Sequence, residues 1–402
     1  MKILYLGGVG PFGGASRSLY EAVNALSDSS LSTYFLMPRG TAMSFYKRVA
    51  TDTLAIRGVT RFDHTRWSYY RRLRWLVAFR ELFHVPSMVA GLYAAQRKWP
   101  NIDIIHVNEI TEIIPGILAK RIFGARMIIH VRSLVHDDLK RRRTRWLHYM
   151  LRKHADAIIA IDETVRASLP SDLTVDIIHN SFTSKPVEIP DKAYLMQLDG
   201  LRPGALRVGF VGNLFRTKGI VELLHAARLV KQAGSNVQFL IVGGATAETK
   251  GWKAAALRAL GLANNVIEDV YRMIKDFGLE QDFLLLGPTA DIQRIYPCMD
   301  VLAFPSHLDS CGRPVFEAAF FGVPSIVAVG RPTNDTLVHG QTGLAISKPD
   351  HKLIADAILT FDRDRGEVRR MGENARELAE TNFRPDTNAR RLLEIYRRTL
   401  TT

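Results

Sequence analysis

The sequence predicts an α/β protein of two Rossmann-like domains that face each other across a hinge. Short apolar runs rich in Ile, Val and Leu alternate with stretches of helical period, the mark of parallel strands joined by crossover helices. The alternation occurs twice along the 402 residues. Between the two occurrences lies Ser181 to Gly204, with three prolines and neither period, which reads as a linker and domain entry. A chain of this length holds about two or three domains of ~150 residues, each able to bury a core.

In the first half the expected strands are Ile3 to Leu6, Ser32 to Met37, Ile104 to Val107, Met127 to Val131, Ala157 to Ile161 and Val175 to His179. In the second they are Arg207 to Val211, Gln238 to Val242, Phe283 to Leu286, Val301 to Phe304 and Ser325 to Val329. The opening MKILYLGGVGPFGG reads as the first strand, because its apolar run passes into glycines and not into a signal-like apolar core with a cleavage site. The segment from Ala245 to Glu280 is longer than one crossover needs and holds two helices or an insertion. After Arg384-Pro385, Leu392, Leu393, Ile395 and Tyr396 share one helical stripe, which predicts a terminal helix. The expected domains are residues 1–182 and 205–384, joined by a linker over 183–204.

Hydrophobic residues make up 47% and charged residues 23%, ordinary values that exclude disordered, fibrous and low-complexity classes. The departure is a net charge of +14, from 54 Lys and Arg against 40 Asp and Glu, so a negatively charged partner is expected. Residues 1–200 hold 28 of the basic and 18 of the acidic residues, and most of the excess lies between Arg61 and Lys153. There RFDHTRWSYYRRLRWLVAFRELFHV sets Arg among Trp67, Tyr69, Tyr70, Trp75, Phe79 and Phe83, and KRRRTRW from Lys140 forms a second cluster. Arginine with interfacial aromatics on a helix suits an anionic membrane surface, which makes 61–99 and 140–146 the expected contact. A nucleic-acid-binding face and a basic solvated helix over the sheet share that composition. No run reaches the ~20 apolar residues of a bilayer span; Leu82 to Gln96 is shorter and broken by His84 and Pro86. Two cysteines, Cys298 and Cys311, are too few for a disulfide framework or a zinc cluster and fit a reducing compartment.

Chemistry concentrates in three loops. The first, GGVGPFGGASRSLYEAV from Gly7, ends a strand in glycines and opens a helix whose free amides suit an anion. The dinucleotide fingerprint threads onto Gly8, Gly10 and Gly13, but its acidic residue is absent, Met37-Pro38-Arg39 ending the second strand; an ordinary glycine turn reads the loop equally well. The second, VGFVGNLFRTKG from Val208, sets Arg216 and Lys218 before a helix, the parts of a diphosphate clamp, although a lone Lys218 also reads as a solvated loop lysine. In the third, a strand ends at Pro305-Ser306, an exposed carboxylate follows at Asp309, Gly312 opens a helix, and Glu317 sits eight residues after Asp309 beside an apolar face of Val315, Phe316, Ala319 and Phe320. A carboxylate buried at the C-terminal edge of a parallel sheet reads as a ligand contact; the alternative is a pairing within the fold at some cost.

These residues, in this order, resemble the retaining nucleotide-sugar glycosyltransferases of family 4, which have the GT-B fold, and the resemblance runs along nearly the whole chain. Pro305-Ser306, Asp309, Cys311-Gly312, Glu317-Ala318 and Gly322-x-Pro324 follow the family signature, with Asp309 in place of its first glutamate. Gly13-Gly14-Ala15, DIIHVN from Asp103, Ile128 to His130, IHNSF from Ile178 and Lys218-Gly219 follow other family segments. The resemblance implies a cleft between the domains, with residues 385–402 crossing back to complete the first. It implies donor binding by Gly13, Gly14, Asn213 (where the family has Arg), Arg216, Lys218, Gly312, Arg313 and Glu317, the last on the ribose hydroxyls. It further implies His130, Asp309 and Lys218 as catalytic residues, and His106, Asn108 and Arg132 on the acceptor side, with Val131-Arg132 where the family has Asp. The implied reaction is a retaining, metal-independent transfer from a UDP- or GDP-sugar, a co-substrate and not a cofactor, to a glycan or lipid-linked acceptor in polysaccharide or glycolipid biosynthesis. Asp362 and Asp364 spell the metal motif of a different glycosyltransferase fold, but within FDRDRGE they read as a solvated charge run, so no metal is expected. The expected location is cytoplasmic, peripheral at the inner face of the membrane, with no nucleic-acid partner. Two other readings stay open: a nucleotide-sugar epimerase of the same architecture, and a non-enzymatic basic protein that binds membrane or nucleic acid.

Overall fold

The computed structural model describes residues 1–26, 28, 30–66, 76–184, 192–244, 266–289 and 291–401. They fall into two compact units, Met1–Thr183 with Asn382–Thr402, and Ser184–Thr381. The first unit is built on β1 (Lys2–Leu6), β2 (Ser32–Pro38), β3 (Asp52–Ile56), β4 (Ile104–Val107), β5 (Arg126–Val131), β6 (Ala157–Ala160) and β7 (Asp176–Ile177), in the order β3-β2-β1-β4-β5-β6-β7. The second is built on β8 (Leu206–Val211), β9 (Val237–Val242), β10 (Phe283–Gly287), β11 (Val301–Phe304), β12 (Ser325–Ala328) and β13 (Gly343–Ile346), in the order β10-β9-β8-β11-β12-β13. Each strand pairs parallel to its neighbours. In each sheet the order reverses once, between β1 and β4 and between β8 and β11, and the loops leaving the C-terminal ends diverge there to open a crevice.

Both faces of each sheet are covered, which is why the central strands read as unbroken apolar runs. Along β1, Leu4 and Leu6 enter one core with Val107 and Ile129, while Ile3 and Tyr5 enter the opposite core with Ile104 and Ile128. The latter core is closed by the helix Pro385–Thr401, through Leu392, Ile395 and Tyr396, so the end of the chain packs into the first unit. Two strands escape the apolar-run criterion, β3 and β13, and both are sheet edges: DTLAI and GLAI are only part-buried, and their polar or small residues hide the period. The segment expected to be a linker and domain entry contains the helix Lys192–Met196 and a 3-10 turn over Gln197–Gly200, from which Tyr194, Leu195 and Leu198 cover an apolar face of the second unit. Within Ala245 to Glu280, Ile267–Asp276 is a helix, and 245–265 lie outside the described residues, as do Trp67, Tyr69, Tyr70 and Trp75.

Candidate functional site

In the second unit the crevice is bounded by the loops after β8 and β11. The first passes through exposed Asn213 and the 3-10 turn Arg216–Lys218 to Gly219, which caps the helix Ile220–Gln232. Gly219 has a φ of 78°, and a Cβ there would strike the Pro305 carbonyl, so only glycine lets the loops touch backbone to backbone. Ser306 Oγ and the His307 amide both donate to the Thr217 carbonyl, at 3.3 and 3.0 Å, and fasten the seam. Lys218 lies on it, its ammonium 5.6 Å from the centre of the Phe304 ring. Burial pushes the Lys218 pKa down, and no carboxylate among the described residues offsets that cost. Arg216 is exposed and pairs at 3.0 Å with Asp269 on the helix Ile267–Asp276.

Asp309 adopts a left-handed backbone, φ 49°, and its Oδ1 accepts from the Gly330 amide at 2.8 Å. Expected as an exposed carboxylate, it is part-buried and braces its loop against the segment after β12. Gly312 caps the helix Arg313–Ala319, which carries Glu317 inward to 4% exposure. There Oε2 accepts from the Tyr296 hydroxyl at 2.8 Å, and Oε1 accepts from Arg313 Nε at 2.9 Å and pairs with its Nη2 at 2.9 Å. The apolar neighbours of Glu317 thus coexist with a buried ion pair, and since a carboxylate offers about four acceptor positions, one remains. Asp362 pairs with Arg365 at 2.8 Å, and Asp364 accepts from the Gly366 and Glu367 amides, at 2.9 and 3.2 Å, at the start of the helix Arg365–Asn382.

In the first unit the glycine loop leads from β1 to Gly13, which caps the helix Gly14–Asn24 without a side-chain hydrogen bond. A Cβ on Gly8 would strike the side chains of Arg61 and Glu112. The ends of β4 and β5 bring His106, Asn108, His130 and Arg132 together. Arg132 Nε donates to Asn108 Oδ1 at 2.8 Å and to its carbonyl at 3.1 Å; one Nη donates to Asn180 Oδ1 at 2.7 Å, and the other lies 3.2 Å from His130 Nδ1. His106 Nδ1 is 2.7 Å from the Tyr396 hydroxyl, itself 3.1 Å from that of Tyr5. Burial, with the Arg132 cation, pushes His106 down to about 3 and His130 well below its ordinary range, so both rings are neutral at pH 7. Glu109 accepts from the Ile110 amide and the Ser133 hydroxyl, each at 2.7 Å. Burial, and then the Glu109 charge, push Glu112 up to about 8. Sequence reasoning missed Glu109, Glu112 and Tyr296, of which the two glutamates left a signal as charges inside the apolar run NEITEIIPG; Asn180 was read only as part of the IHNSF segment, and Tyr396 only as part of the terminal helix stripe.

Two parallel sheets of this strand order in one chain, each with polar residues gathered at its C-terminal ends, define a protein of the GT-B class. The family model Glycosyltransferase Family 4 matches residues 12–182 and the model Glycosyl transferases group 1 matches residues 199–378, and the chain belongs to the family 4 glycosyltransferases. It is 25% identical over 323 residues to the lipopolysaccharide core biosynthesis mannosyltransferase LpsB of Rhizobium meliloti (strain 1021), covering 80% of this chain and 84% of that one. It is 28% identical over 176 residues to the capsular polysaccharide biosynthesis glycosyltransferase CapM of Staphylococcus aureus, where it spans 44% of this chain and 42% of the relative. Among solved structures, Anabaena Alr3699/HepE in complex with UDP has the same fold, with a TM-score of 0.74 over 98% of this chain and 99% of that chain at 19% identity.

Proposed function

We propose that the protein transfers a sugar, with retention of anomeric configuration, from a UDP- or GDP-sugar to a glycan or lipid-linked acceptor in polysaccharide or glycolipid synthesis. The observation that carries this is Lys218, a part-buried ammonium with no carboxylate partner among the described residues, placed where the strand order reverses and a helix begins. A bound anion offsets the desolvation of such a cation. Breaking the bond between an anomeric carbon and a diphosphate leaves negative charge on the leaving group, and Lys218 with the first amides of Ile220–Gln232 would carry it without a metal. Glu317 keeps one acceptor position for a ribose hydroxyl, and Asp309, through the backbone it braces, sets the loop that meets the sugar. On the first unit, Gly13 and Gly14 are assigned to the diphosphate, His130 to the sugar, and His106, Asn108 and Arg132 to the acceptor side. The named activities of LpsB and CapM, and the UDP held by the Anabaena protein, support the class of reaction and of donor.

The same proposal places the protein on an anionic membrane. The helix Leu76–Lys98 buries Met88, Leu92 and Ala95 yet leaves Leu82 62% and Phe83 80% exposed, with Phe79 and Tyr93 also outward and Arg80, Arg97 and Lys98 around them. No helix among the described residues is long and apolar enough to cross a membrane.

Incubation with labelled UDP- and GDP-sugars tests the reaction. Release of nucleoside diphosphate with the sugar transferred or hydrolysed supports it; an altered sugar still on the nucleotide would establish an epimerase, and absence of binding would reject both enzymes.

A further inference from the structure

Arginine can only donate hydrogen bonds, so each atom that Arg132 meets must accept. That orients the Asn108 and Asn180 side chains, whose Oδ1 atoms face the guanidinium at 2.8 and 2.7 Å. It also decides a question the His130 ring alone leaves open. With an Arg132 Nη 3.2 Å from Nδ1, that nitrogen must hold a lone pair, and a neutral imidazole then carries its proton on Nε2. An imidazolium would set N–H against N–H and a second cation beside the first. Nε2 is also the ring atom with no partner among the described residues, in a side chain only 3% exposed. A buried donor left unpaired is uncommon enough to need a reason.

We infer that Arg132 is a positioning residue that holds His130 as the Nε2–H tautomer, so that His130 donates a hydrogen bond to a sugar oxygen and does not act as a base. The inference rests on the transferase reading for the sugar, whereas the tautomer follows from the Arg132 network by itself. That network is firmly held: the Arg132 amide also donates to Glu109 Oε1 at 3.3 Å, so strand ends and the chain after β7 all fix the guanidinium. A base at this position would take a proton from the acceptor hydroxyl; a fixed N–H donor leaves that proton in place and steadies oxygen lone pairs.

The test is a long-range proton–nitrogen correlation spectrum of the full chain labelled with ¹⁵N-histidine, at pH 7, with the His130 signals identified by their loss in His130→Gln. The expected pattern is a protonated Nε2 and an unprotonated Nδ1. Arg132→Met is expected to release the ring, so that an Nδ1–H population appears and transfer slows at least tenfold, with a lower Tm but a cooperative unfolding transition retained; Arg132→Lys, which keeps a donor, is expected to restore part of both. A protonated Nδ1 in the unaltered protein would overturn the inference, as would an unchanged tautomer in a folded Arg132→Met. Should Arg132→Met fail to fold, the spectrum of the unaltered protein still decides. Should the protein transfer no sugar, the spectrum still reads the tautomer, and the failure belongs to the transferase reading.

Discussion

Lys218 costs the empty protein stability, because a desolvated ammonium with no counter-charge is held at a loss until an anion arrives. Lys218→Ala is therefore expected to weaken UDP or GDP binding by about 10- to 100-fold, the worth of a charge-assisted hydrogen bond of ~1.5–3 kcal/mol, while leaving Tm unchanged or higher. Titration calorimetry and thermal unfolding read the two halves of that statement; a lower Tm with intact affinity would make Lys218 structural. Glu112 gives a pH dependence of the less usual sign. Its carboxyl is pushed up to about 8 in the folded state, against ~4.3 unfolded, so between those values only the folded protein holds the proton and stability falls as pH rises. Below the unfolded value both states are protonated, stability no longer changes with pH on this account, and the contribution of the protonated carboxyl is at its full value. Glu112→Gln is expected to gain on the unaltered protein steadily from about pH 5 to 8; denaturant midpoints that stay parallel over that range would refute it. Lys218 and Glu317 were legible because each stands at a fixed offset from a glycine and a strand end. The brace from Asp309 to Gly330 and the bond from Tyr296 to Glu317 were not, since strand packing sets them and no local period encodes them.

At the scale of elements, the helix Leu76–Lys98 is apolar on the side it buries and on the side it shows, which an ordinary surface helix is not. If the outward side meets lipid, Leu82→Ser with Phe83→Ser should abolish flotation with vesicles containing anionic lipid and leave Tm within a degree or so, since both side chains are mostly exposed. Loss of Tm in place of loss of flotation would make the face a packing surface, and salt-insensitive absence of binding by the unaltered protein would reject the membrane. The strands teach a related lesson about legibility. Central β1, β4, β8 and β11 are covered on both faces and announce themselves, whereas β3 and β13 lie at the edges, where Asp52 and Thr53 are acceptable because one side of the ladder is open, and Gly343 is needed because a Cβ there would strike the Ser325 carbonyl.

At the scale of the molecule, the helix Pro385–Thr401 belongs to the first unit although the whole second unit precedes it in the chain. Deleting 385–402 should strip Leu392, Ile395 and Tyr396 from the core that holds Ile3 and Tyr5, so trypsin is expected to digest the first unit while Ser184–Thr381 survives. Equal resistance of both units would show that the helix is dispensable. The hydroxyls of Tyr5 and Tyr396 meet across 391 positions of sequence. At ~5–20 residues per second a chain of 402 residues takes about 20–80 s to make. For nearly all of that time the side of the first sheet that carries Ile3, Tyr5 and Phe35 is covered by Leu19, Val23, Met43 and Tyr46, without Leu392, Ile395 and Tyr396. The usual order of birth is then inverted: the unit that starts last, Ser184–Thr381, has all its residues made before the unit that starts first receives its closing helix.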